Sequence, residues 1–234
     1  LKAFDIDPMA IQAGAKLQEA DSRFELLHAP FGELASKVGE PVGGVLLDLG
    51  VSSPQLDEPG RGFSVKGRKA GPLDLRMNQS VGLAASAWLG TVSAAEIAWV
   101  LRQTCHALEP PLHERVAEEL HEWHRRHGPF SSTHEFTAML RAPEEELRSE
   151  HPTIKLPSIV KTSLRIFLNQ EMPQLQLGLE GAFERLEPFG RCCVICFNRW
   201  EVAAVRDFVR RHEEPQSAAM RALPPDRLAA LYPL

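Results

Sequence analysis

The 234-residue chain has only four cysteines, at 105, 192, 193 and 196. That is too few, and three of them too closely clustered, for a disulfide framework, which points to a reducing compartment. No apolar run approaches the ~20 residues of a membrane span, so no membrane partner is expected. No signal-peptide pattern stands at the start. The net charge of −5 gives no global basic field, so any nucleic-acid contact must come from a local patch. A G-x-G-x-x-G loop after a strand is absent, and a nicotinamide-dependent oxidoreductase on a similar sheet would need one. What is present is 44% hydrophobic and 24% charged residues, the balance of a soluble globular protein. The length suits one α/β domain with a sizeable insertion, or two small domains.

Residues 45–57 organise the rest. The run Val45-Leu46-Leu47 ends on Asp48, and the chain then turns through Gly50, Ser52, Ser53 and Pro54. An apolar run of this kind suits a strand buried on both faces, as in a parallel sheet. Open α/β sheets bind ligands beyond the carboxyl ends of their strands, which places Asp48 and the following turn in a crevice. Before it, Asp5 closes a short apolar stretch, and Asp7-Pro8 fits an N-cap with proline opening a helix to about Ala20. A carboxylate at a strand tip, as at Asp5, can accept both hydroxyls of a ribose; the alternative is a surface loop acid. Residues 24–27 form the next expected strand and lead to Phe31, which is either an aromatic face for a ligand ring or a core residue.

Residues 60–76 carry Arg61, Lys66, Arg68, Lys69 and Arg76 among four glycines, against the single acid Asp74. A mobile basic loop suits phosphate contact; a solvated loop without a partner is the alternative. Residues 84 to about 150 read as helical, with Ile97, Val100 and Leu101 on one face and Val116, Leu120 and Trp123 on another. Ser131 or Ser132 can cap a helix to Leu140, with Glu135 completing a capping box. His121, His124 and His127 recur without a carboxylate or cysteine at ligand spacing, so a solvated helix face explains them and no metal is expected. The stripe Val160, Leu164, Leu168, Met172, Leu175, Leu179, Phe183, Leu186 marks one buried helix face, which Pro173 should kink or split. Gly190 then provides a turn, and residues 191–197 form a second buried strand. The helix 201–211 follows, and then a weakly patterned tail.

The segment Asp48-Leu49-Gly50-Val51-Ser52-Ser53-Pro54-Gln55-Leu56-Asp57, with Arg61-Gly62-Phe63-Ser64 and Gly71-Pro72-Leu73-Asp74-Leu75-Arg76-Met77, resembles the ribosomal RNA small-subunit methyltransferase H (MraW-like) family. The likeness continues through residues 84–102, 163–166 and 190–197. It implies a Rossmann-like class I methyltransferase sheet with a helical insertion, and a first strand and Gly-rich loop ahead of Leu1. The implied domains are 1–60 with 158–215 for methyl transfer, 61–157 for a basic loop and helical substrate recognition, and a tail from 216. The implied reaction carries a methyl group from S-adenosylmethionine to the exocyclic amine of a cytidine in small-subunit ribosomal RNA.

For cofactor binding the resemblance implies Asp5, Phe31, Asp48 and Gln55. Asp48, Ser52, Ser53 and Pro54 are the expected catalytic residues, since a cytosine amine needs acceptors against its hydrogens. Arg61, Lys66, Arg68, Lys69, Arg76 and Asn198 are expected on the RNA, with Asn198 standing where the family has histidine. The expected partner is small-subunit ribosomal RNA in the small ribosomal subunit, and a homodimer is left open. The expected compartment is the cytoplasm, or a mitochondrion or plastid in a eukaryote. A non-catalytic member that binds RNA or the small subunit is the alternative function.

Overall fold

A computed structural model describes residues 1–64, 70–105, 108–149, 152–213 and 218–231. Along the chain run β1 (Lys2–Asp5), α1 (Pro8–Ala20), β2 (Glu25–His28), α2 (Leu34–Lys37), β3 (Val42–Asp48), α3 (Ser53–Asp57), α4 (Ala85–Leu89), α5 (Ala94–Thr104), α6 (Pro110–His127), α7 (Thr133–Met139) and α8 (Arg141–Leu147). They continue as α9 (Leu156–Leu168), α10 (Glu171–Arg185), β4 (Leu186–Ile195), α11 (Arg199–Glu213), α12 (Ala218–Arg221) and α13 (Pro225–Leu231). The fold is mixed α/β. It divides into two compact units, 1–50 with 172–234, and 51–171. α3 and α9 both belong to the second unit. No helix among the described residues is long and apolar enough to cross a membrane.

In the first unit β1 pairs with β2 and β3 with β4, both parallel. α1 begins as expected: the Asp7 carboxylate accepts from the Met9 N–H, and Pro8 opens the helix. β3 alternates, with Leu47 buried at 5% exposure and Leu46 at 65%. The expectation of a strand buried on both faces is therefore corrected, because only one face of β3 meets helix α10. That face packs Leu47 and Leu49 with Leu175, Leu179 and Phe208, backed by Phe31 and Phe183. The turn expected at Gly190 falls one residue earlier. Phe189 takes the left-handed conformation (φ 69°), and the β4 partners jump from Leu186 opposite Val42 to Arg191 opposite Gly44.

The second unit is helical. Ser93 and Glu96 close a capping box on α5. Ser132 caps α7, while Glu135 reaches back to the Ser131 N–H and hydroxyl instead of the N-cap N–H. Phe136, Leu73, Leu75, Leu89, Ile97, Leu101, Leu120 and Leu164 are fully buried in its core. The apolar stripe 160–186 is divided between the two cores: Val160 and Leu164 join this one, Leu175 and Leu179 the other. The break lies at Asn169 and Gln170, just ahead of Pro173, where Gln170 has φ 52°. Asn169 holds it open by donating to the Leu75 carbonyl at 2.7 Å and accepting from the Met77 N–H at 2.6 Å.

Candidate functional site

In the first unit two carboxylates end parallel strands. Asp5 closes β1 and accepts from the Asp7 N–H at 2.8 Å. Burial pushes its carboxyl pKa up, against the lowering effect of that N–H. Asp48 closes β3 opposite Ile195 and is exposed. Gly50 follows with φ 87°, a left-handed turn that glycine takes without strain. Phe31 opens a single 3₁₀ turn, Phe31–Glu33. A Cβ on Gly178 would sit 2.6 Å from the Phe31 ring, so this glycine lets the ring lie against α10.

Asn198 follows the end of β4, three residues beyond the partner of Asp48. Its Oδ1 accepts from the Trp200 and Glu201 N–H groups at 2.9 and 3.1 Å. The buried Glu201 accepts from the Phe197 and Asn198 N–H groups in return. This is a capping box for α11, with asparagine in the cap position. Asn198→Ala is expected to lower the unfolding free energy by about 1 kcal/mol, and Asn198→Ser, which keeps an acceptor, by clearly less. Urea titration of both variants checks this, and equal losses would show that the cap contributes nothing.

In the second unit the Ser-Ser-Pro bend is the N-terminus of α3. Ser52 caps it, accepting from the Gln55 N–H, and the Gln55 side chain accepts from the Ser52 N–H at 3.0 Å. The carbonyls of Ser52 and Pro54 accept from Leu56 and Glu58. They are thereby committed to the helix, leaving the exposed Ser53 hydroxyl on this turn.

Of the basic loop, Lys66, Arg68 and Lys69 lie outside the described residues. Arg61 is 3% exposed and donates to the Arg76 and Met77 carbonyls at 3.2 and 2.6 Å. Arg76 forks onto Asp74, with both contacts at 2.8 Å. Burial raises the Asp74 carboxyl, but hydrogen bonds from Arg76 and Gln79 outweigh it, and the pKa is held below its ordinary value. Both arginines thus fold the loop. Gly62 (φ 76°) and Gly71 fit here because a Cβ would lie 2.6 Å from the Pro72 carbonyl oxygen and 1.7 Å from the Pro59 carbonyl oxygen, respectively.

Sequence reasoning missed Lys161. It stands on the buried side of α9, 7% exposed, and donates to the Ser64 carbonyl. Burial lowers its pKa to about 8. The signal was a lysine within an apolar stripe, one residue from Val160.

Acidic side chains at the ends of parallel strands, with a helical segment following the third strand, are features of α/β proteins that bind ligands beside strand ends. A model of the MraW methylase family matches residues 1–228. The chain is 38% identical over 223 residues to ribosomal RNA small subunit methyltransferase H of Shewanella amazonensis, covering 92% of this chain and 67% of that protein. It is 37% identical over 231 residues to the protein of the same name from Shewanella woodyi, covering 93% and 68%. The chain belongs to the MraW methylase family.

Proposed function

We propose that this chain is a small-subunit (16S-type) ribosomal RNA methyltransferase, transferring a methyl group from S-adenosylmethionine to the exocyclic N4 amine of a cytidine. The observation that carries the reading is Asp48: an exposed carboxylate at the end of a parallel strand, followed by a left-handed glycine. The family and the names of the relatives support it. In this reading β1–β2 and β3–β4 belong to one Rossmann-like class I sheet. The first unit holds the cofactor and the second recognises the substrate. The partner is ribosomal RNA within the small subunit, in a bacterial-type cytoplasm, and a homodimer is compatible with the reading.

The side chains suit S-adenosylmethionine chemically. Asp5, half-buried at a strand tip, can accept ribose hydroxyls through the carboxylate edge not turned to Asp7. Phe31 offers an apolar ring for adenine. Gln55 keeps a supporting role, since its side chain closes the α3 cap. When bound, the cofactor supplies an electrophilic methyl group on a sulfonium.

The chain's own residues position and desolvate. A cytosine amine is a weak nucleophile, and positive charge grows on its nitrogen as the new bond forms. Asp48 accepts a hydrogen bond from that amine and stabilises the growing charge, and the proton that the methylated nitrogen sheds leaves to solvent past this exposed carboxylate. The Ser53 hydroxyl and Pro54 edge border the base, and Ser52 fixes their turn. The target base must leave its stack to be reached. Lys66, Arg68 and Lys69 supply phosphate contacts, while Arg61 and Arg76 hold the loop that carries them. Asn198 orients α11 beside the strand end.

The test is transfer of labelled methyl from S-adenosylmethionine to unmethylated small subunits, followed by nucleoside analysis. N4-methylcytidine is the expected product. Label on another atom, or no cofactor binding by calorimetry, would overturn the proposal.

A further inference from the structure

We propose that the cleft between the start of α10 and the outer side of α11 is a second contact site for single-stranded RNA, one nucleotide's base lying on Trp200 and its phosphates on Arg206 and Arg210. The inference deepens the proposed function and rests on its RNA substrate. The cleft measures about 720 Å³ and is lined by Met172, Trp200, Ala204, Arg206, Asp207 and Arg210.

Charge selects the occupant. The chain is acidic overall, at −5, yet α11 carries Arg199, Arg206, Arg210 and Arg211 against Glu201, Asp207 and Glu213. Glu201 is buried in the helix cap, which leaves the exposed side of the helix with an excess of positive charge. Arg206 and Arg210 are one turn apart and so share a face. Arg206 is exposed and has no ion-pair partner among the described residues. Arg210 holds Asp207 at 2.6 Å with both side chains more than half exposed, and Arg211 stands 3.4 Å from the same carboxylate, so Asp207 keeps a cation beside it when Arg210 turns to a phosphate.

The aromatic group selects RNA over an acidic peptide. The Trp200 backbone is fixed by the α11 cap, its N–H donating to Asn198 Oδ1 at 2.9 Å. The Arg199 guanidinium lies 5.4 Å from its ring centroid. An indole beside arginines is the pairing with which sequence-tolerant sites hold unpaired bases and their backbone. A duplex would keep its bases stacked away from the indole. Since Arg61 and Arg76 are committed to their own loop, this helix offers a further local basic patch for RNA in addition to Lys66, Arg68 and Lys69.

The test is fluorescence anisotropy of the full chain with a labelled mixed-sequence single-stranded RNA 12-mer, without S-adenosylmethionine. Arg206→Glu is expected to weaken binding at least about tenfold and to flatten the salt dependence by about 0.7 per lost phosphate contact. Trp200→Ala should weaken binding at least about fivefold, and Trp200→Phe should retain most of it. Arg23→Glu, an exposed site between α1 and β2 in the same unit with the same change of charge, is the control and should have little effect. The proposal is overturned if Arg206→Glu and Arg23→Glu weaken binding equally, or if Trp200→Ala leaves it unchanged in a folded variant. Cleft-dependent RNA binding without methyl transfer would reject the catalytic reading alone. Methyl transfer with binding indifferent to both cleft substitutions would reject the cleft alone.

Discussion

Asp48→Asn lowers methyl transfer at least about a hundredfold, the loss expected when one preorganised acceptor is removed from a developing charge. The two side chains have nearly the same shape, so sterics do not explain the loss. Asn presents one carbonyl oxygen and no negative charge to the amine. Asp48 is exposed on its strand end, so unfolding free energy should change by no more than about 0.5 kcal/mol. Rate and urea midpoint are measured on the same preparation. A variant that keeps full activity removes Asp48 from the chemistry; one that loses activity together with its fold says nothing about the reaction and calls for Asp48→Glu.

Lys161→Met should stabilise the protein at pH 7, by an amount that shrinks as pH rises. The lysine has a folded pKa of about 8 against an ordinary 10.5. Unfolding therefore takes up a proton between those two values, and stability increases with pH across that window. Below pH 8 the penalty of burying the charge is fully present; above about 10.5 it is gone. The shift corresponds to on the order of 3 kcal/mol at neutral pH, less what is lost with the bond to the Ser64 carbonyl. Methionine keeps the length of the stem without the charge. Urea unfolding of both proteins at pH 7, 9 and 10 checks this, and a difference that stays constant across the series would reject it.

Local signals in the sequence carried much of the fold. Asp7-Pro8 marked the start of α1, and Pro173 marked the division of a long helix, because capping and proline act over a few residues. What escaped was tertiary. Leu46 reads like Leu47, and nothing in the run says that one face of β3 stays uncovered. Arg61 reads as a phosphate ligand until its guanidinium is found on the Arg76 and Met77 carbonyls. Asn198 looked like an altered site residue, yet its side chain opens α11. Capping boxes at Ser52 and Asn198 use the same polar side chains a binding site would use, and only the hydrogen-bond partners separate the two roles.

One run of apolar residues from 160 to 186 feeds two separate interiors, parted at Gln170. Substitutions at Leu164 and at Leu179 should consequently combine without epistasis, although both belong to a single repeating pattern. A change that loosens the helical interior of 51–171 should therefore leave the packing behind the strands that end in Asp5 and Asp48 as it is.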